Sequence, residues 1–176
     1  MYDKESLRID LKSLPEGLTA IDTVLDDGFF EAVDAPQFHK GRFSLHIDCS
    51  RTADFFEFMF HVSGYVVVTC DRCLDDMEQP VTADDRLAAK FGEENTEEDN
   101  LVTVAENEGI LDVAWFVYEL IALNVPIKHV HAPGKCNPAM IRLLDEHSAA
   151  RSGMDNENNA VDPRWKALLK LKEKNK

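Results

Sequence analysis

Basic residues are in short supply in this chain. Nineteen Lys and Arg stand against 33 Asp and Glu, a formal net charge of −14. A body of that charge repels phosphate, which argues against a general nucleic-acid-binding domain. Long apolar runs are missing too. The most apolar stretch, Ile110 to Ile127, is broken by Asp112, Glu119 and Asn124, so it reads as a buried amphipathic helix and not as a membrane span. The opening stretch MYDKESLRIDLKSL is charged and has no apolar centre. It lacks the pattern of a secretory signal, and a cytoplasmic location is expected. Cysteines number only four; in a reducing compartment they are better read as metal ligands or core residues than as disulfides. There is no glycine-rich phosphate loop, no serine in a nucleophile-elbow setting and no internal repeat. The common signatures of nucleotide-dependent and hydrolytic enzymes are therefore absent.

What is present supports a folded protein. The chain has 176 residues, 44% of them hydrophobic, with ten Phe, enough for one ordinary domain with a sizeable core. SLRIDL places Leu7, Ile9 and Leu11 on one side, and GRFSLHIDC does the same with Phe43, Leu45, Ile47 and Cys49, so both read as strands. DDGFFEAV between them suggests a short helix carrying Phe29 and Phe30 into the core. From Ala53 to Thr69, Phe56, Phe58, Phe60, Val62, Val66 and Val68 share one parity, with Gly64 as a bulge or bend point. VTADDRLAAKF alternates again through Val81, Ala83, Leu87, Ala89 and Phe91, which makes the pair an antiparallel hairpin. EENTEEDN reads as a mobile loop, and LVTVAE as a further strand.

LDVAWFVYELIALNVP then reads as a helix capped by Asp112 and stopped by Pro126. A second short helix is expected to begin after Asn137, with Pro138 in its first turn. The predicted fold class is α+β: an N-terminal antiparallel β-sheet of about five strands, open to strong curvature, packed with a C-terminal helical segment. Residues 1–147 form the expected single domain, 148–161 a flexible linker, and 162–176 a basic C-terminal helix or tail. From Arg164 to Lys176 five Lys and one Arg face one Glu, a local net of +5, which leaves −19 for the first 163 residues.

The chemistry-bearing motif is VTCDRCLDDMEQPV, in which Cys70 and Cys73 lie in the turn of the long hairpin. Tetrahedral zinc needs four soft or imidazole donors, and such a turn supplies two. KHVHAPGKC offers the rest, His131 (or His129) and Cys136, with Pro133 and Gly134 making the turn between them. The expected site is Cys70, Cys73, Cys136 and His131 around a structural Zn2+, closed to substrate. Competing readings are buried thiols and a Cys70–Cys73 redox pair. Cys49, on the apolar side of its strand, reads as core. HAPGKCN resembles a Cys/His nucleophile setting, but no residue is fixed to orient the base, and no enzyme is expected. Asp75, Asp76, Asp84 and Asp85 read as solvated acidic surface.

Three segments in order, CDRCLDDMEQPV, LDVAWFVYELIALNVPIKHVHAPGKC and DPRWKALLKLK, carry a resemblance between about Asp48 and Leu171. Together they look like the bacterial YceD family, the large ribosomal RNA subunit accumulation proteins. The family's Cys-x-Arg-Cys-Leu form appears as Cys70, Arg72, Cys73 and Leu74. Its Leu-x-x-Pro appears as Leu123 to Pro126, followed by His131 and Cys136, and its last motif as Pro163 with Leu168, Leu169 and Lys170. The resemblance implies a non-enzymatic role in accumulating 23S rRNA and maturing the large subunit. The partner expected is a preribosomal particle, with the acidic body toward basic ribosomal proteins. In the basic tail, Arg164, Lys166, Lys170, Lys172 and Lys174 would meet rRNA phosphate, with Trp165 available for stacking. The alternative is a metal- or thiol-dependent enzyme, or a redox sensor, centred on Cys70, Cys73 and Cys136.

Overall fold

The computed structural model describes residues 7–98 and 100–148. The chain divides into two compact units, residues 1–138 and 139–176. The described residues of unit one contain eight strands and two complete helices. They are β1 (Arg8–Asp10), β2 (Gly17–Leu25), α1 (Asp27–Ala32), β3 (Gly41–Thr52), β4 (Phe55–Thr69), β5 (Asp76–Gly92), β6 (Thr96–Glu98), β7 (Leu101–Ala105), β8 (Ile110–Asp112) and α2 (Ala114–Asn124). The helix α3 (Pro138–Glu146) begins at the last residue of the first unit, Pro138, as its sequence predicts, and continues in the second. The linker and tail residues 149–176 lie outside the described residues.

One sheet dominates, with strand order β2-β3-β4-β5-β7-β6. Strand β1 pairs instead with β8 in a separate two-stranded ribbon. The α+β class stands, and the main sheet has six strands rather than five. Two elements account for the change. GLTAIDTVL forms the edge strand β2, whose alternation is blurred because its inner positions are occupied by Thr19 and Thr23 as well as Ile21. EENTEEDN is not simply a loop: Thr96–Glu98 pairs with β7. The sheet is also not wholly antiparallel, because the β6–β7 return brings β7 alongside β5 in the same direction.

Period-two patterning sets the core. Phe56, Phe58, Phe60, Val62, Val66 and Val68 of β4 are all buried, as are Phe43, Leu45, Ile47 and Cys49 of β3. Burying each large side chain contributes about 1.5–3 kcal/mol. Both helices and the small ribbon add residues to the same core. Phe29 and Phe30 of α1 are buried, and Phe30 approaches Phe43 at 6.4 Å between ring centroids. Helix α2 packs against β5, and its Phe116 ring lies 4.9 Å from that of Phe60. Leu7, Ile9 and Leu11 around β1 are buried as their alternation requires.

Gly64 is not a bulge. Its neighbours continue the ladder without an unpaired residue on either side, Gly64 facing Phe43 and Val81. What demands glycine is the close approach of β3: a Cβ there would stand 2.0 Å from the Arg42 carbonyl oxygen. At the start of α2 the Asp112 carboxylate accepts a hydrogen bond from the Ala114 N–H at 3.0 Å. The residue at the geometric cap is Val113, so Asp112 acts from one position further out. Val125 is extended before Pro126, which ends the helix. Among the described residues no helix is long and apolar enough to cross a membrane.

Candidate metal centre

The β4–β5 ladder runs without a break to the pair Thr69 and Asp76, which leaves six residues, Cys70 to Asp75, to close the hairpin. They fold into a tight knuckle. The Cys70 N–H donates to the Asp75 carbonyl at 2.8 Å, and the Leu74 N–H donates to the Cys70 carbonyl at 2.9 Å. Leu74 takes a left-handed conformation, φ 63°, so the turn closes there at some local strain. That geometry turns both thiols inward, and Cys70 and Cys73 are fully buried.

The loop after α2 comes to meet this knuckle, and Asp71 is what holds it. Its backbone N–H donates to the His129 carbonyl at 2.8 Å, and its carboxylate accepts from the His129 N–H at 2.7 Å. The Asn137 side chain donates to the Asp75 carboxylate at 3.1 Å. Between these two anchors, Ala132 to Lys135 form a turn. The Lys135 N–H donates to the Ala132 carbonyl at 2.9 Å, and Gly134 has φ 80°. Proline followed by a glycine of positive φ is the pairing of a type II turn.

These anchors bring four donors together. The sulfurs of Cys70, Cys73 and Cys136 and a ring nitrogen of His131 all lie within 4.8 Å of one another. The Cys73 sulfur is 3.3 Å from His131 Nδ1. Tetrahedral zinc with ordinary bond lengths places a sulfur and an imidazole nitrogen about 3.6 Å apart and two sulfurs about 3.8 Å apart. The observed cluster is therefore compatible with a metal ion after adjustments of up to about 1 Å. The choice between the two histidines is also settled. His129 is tied to Asp71 through its backbone, and its own Nδ1 faces the Asp71 carboxylate at 3.7 Å; His131 points into the cluster.

The electrostatics of the four donors match that geometry. Burial opposes charge on Cys70, but N–H groups of His131, Cys73 and Arg72 aimed at its sulfur outweigh it and bring the thiol down to about 6. Cys136 moves the other way, to about 11, through burial and through the adjacent sulfurs of Cys70 and Cys73. Several thiolates in one place repel each other, and a dication relieves the conflict by replacing protons. Cys49 is elsewhere, buried in the core, where desolvation raises its thiol.

The four residues expected from the sequence are thus brought together. Asp71 and Asn137 position them, and Asp75, which by its sequence context reads as solvated surface, holds the Asn137 side chain. Their only sequence signal is adjacency to the ligands. Asp84 likewise pairs with His61 across the sheet, and Asp85 is half-buried. The expected ribosome-contact residues Arg164, Trp165, Lys166, Lys170, Lys172 and Lys174 lie outside the described residues.

The family model of the large ribosomal RNA subunit accumulation protein YceD matches residues 58–172. The chain belongs to the YceD family. The match begins within β4 and takes in the knuckle, the loop and α3, so the candidate metal centre lies wholly inside it. Membership connects this YceD-family protein to accumulation of the large-subunit rRNA. No curated protein and no solved structure matches the chain.

Proposed function

We propose that this YceD-family protein is a non-enzymatic, cytoplasmic factor that acts in a preribosomal particle to promote accumulation of 23S rRNA and biogenesis of the large subunit. The observation that carries the reading is the family match over residues 58–172. Charge distribution supports the division of labour. A body of net −19 favours basic ribosomal proteins over free RNA, and a tail of +5 offers Arg164, Lys166, Lys170, Lys172 and Lys174 to rRNA phosphate, with Trp165 for stacking.

In this reading Cys70, Cys73, His131 and Cys136 hold one structural Zn2+. Four protein donors fill a tetrahedral shell and leave no position for water or substrate, so the ion fastens the hairpin tip to the loop after α2. The thiol-enzyme alternative has one point in its favour, the low Cys70 value. Complete burial of that sulfur weighs against it.

Depletion of the protein, followed by rRNA quantitation and sucrose-gradient profiling, tests the role. A fall in the 23S to 16S ratio with a depleted large-subunit peak is expected; normal values for both would refute it. Removing residues 164–176 is expected to weaken association with preribosomal particles more at low salt than at high salt. Equal weakening at both would dismiss the charge argument.

A further inference from the structure

Among the described residues of the first unit, the face of the six-stranded sheet opposite the core is covered by neither α1 nor α2, whose buried residues join that core, and one cross-strand row on it has an unusual composition. Leu18, Ser50, Glu57, Ala88, Leu101 and Glu98 are direct neighbours in register, one from each strand. Small side chains at Ser50 and Ala88 lower the middle of the row. Beside it stand Asp48, Met59 and Arg86, a row of larger residues. The result is a groove of about 540 Å³ crossing the sheet. Two of its apolar contributors are unusually open to solvent, Leu18 at 82% and Met59 at 51%. Among the described residues, Glu57 and Glu98 make no side-chain hydrogen bond or ion pair, and Asp48 pairs with His46. Three carboxylates against one guanidinium give the groove a net negative lining.

We propose that this groove is a docking site for an extended, basic segment of another protein, with Lys or Arg alternating with large apolar side chains. Period-two alternation fits because an extended chain directs successive side chains to opposite sides, so one lying edge-on in the groove sets its apolar residues against the Met59 row and its cations against the row of Glu57 and Glu98. Length fits as well. Six strands span about 24 Å, which an extended chain crosses in about seven residues. A second copy of this chain is a poor occupant, since two bodies of net −14 repel each other. Nucleic acid is disfavoured by the same carboxylates. The setting rests on the proposed role beside basic ribosomal proteins; the groove is tested by binding alone.

The test uses the full-length protein and a fluorescein-labelled peptide of about seven residues alternating Lys and Leu, with a Glu/Leu peptide as control. Fluorescence anisotropy at low salt is expected to show saturable binding of the Lys/Leu peptide only. Glu57→Lys with Glu98→Lys is expected to weaken it about tenfold or more, and Met59→Ser about threefold. Glu31→Lys, on α1 and away from the outer sheet face, is expected to leave it unchanged. The charge-reversed positions are exposed and unpaired, and an unchanged circular dichroism spectrum verifies folding. Equal binding by wild type and the double variant overturns the groove. So does saturable binding of labelled single-stranded RNA to the protein that Met59→Ser weakens, or a concentration-dependent dimer in sedimentation that Leu18→Asp abolishes. A normal 23S to 16S ratio on depletion refutes the assembly role and leaves the groove standing on its binding data.

Discussion

Zinc affinity should rise steeply with pH, and Cys136 is the reason. At about pH 7 a thiol with a value near 6, Cys70, is about nine-tenths thiolate and contributes almost no proton to displace. Cys136, near 11, is protonated at that pH and must lose its proton to ligate. A group whose pKa is raised in the free protein binds metal by expelling a proton, so higher pH favours the bound form. Each unit of pH below about 11 should then raise the apparent association constant at least about tenfold, or about a hundredfold between pH 7 and 9. Competition against a chromophoric chelator at fixed ionic strength, corrected for the chelator's own titration, measures it. The variant Cys136→Ser removes the proton and the ligand together. Its affinity should fall at least about a hundredfold, beyond the range typical of losing a residue that merely supports a ligand, and its pH slope should drop by about one. A flat profile in the wild type, or an unchanged slope in Cys136→Ser, would refute the assignment of Cys136 as the protonated ligand.

Asp71→Ala should lower zinc affinity about tenfold, because the knuckle loses the carboxylate that accepts the His129 N–H; chelator competition reads it, and no change would mean the loop positions itself. Phe60→Ala empties a fully buried site against Phe116 and should cost about 3–5 kcal/mol, lowering Tm by about 10 °C in calorimetry. Gly64→Ala and Gly134→Ala should separate two reasons for glycine. At Gly64 the added methyl meets the Arg42 carbonyl and should cost about 3 kcal/mol in urea unfolding. At Gly134 there is open space but a φ of 80°, so about 1 kcal/mol is expected.

Legibility differed by kind of feature. The inner faces of β3 and β4 were readable because a strand's burial pattern is written in its own alternation, and a row of Phe and Val at one parity has few other uses. The edge strand β2 was not, since an edge strand that half-buries Thr19 and Thr23 leaves a weak pattern. The three-residue β6 exists only through its partner β7, and no local signal marks it. Gly64 drew attention as a special position, but the reason lay in the Arg42 carbonyl of the neighbouring strand.

By itself the sequence determined the donors on offer, a cysteine-bearing hairpin tip and, separately, an imidazole and a thiol flanking a Pro-Gly turn, because ligand types and turn residues are local properties; that the two meet is tertiary. It also determined the acidic body and basic tail. Tertiary structure alone decided that His131 and not His129 joins the thiols, since that choice is made by the Asp71 clamp reaching 58 residues along the chain. It alone placed β7 parallel to β5, and it alone aligned Leu18, Ser50, Glu57, Ala88, Leu101 and Glu98 into one groove. Those are matters of register between distant segments, and the pairing energies that fix a register arise only when the strands meet.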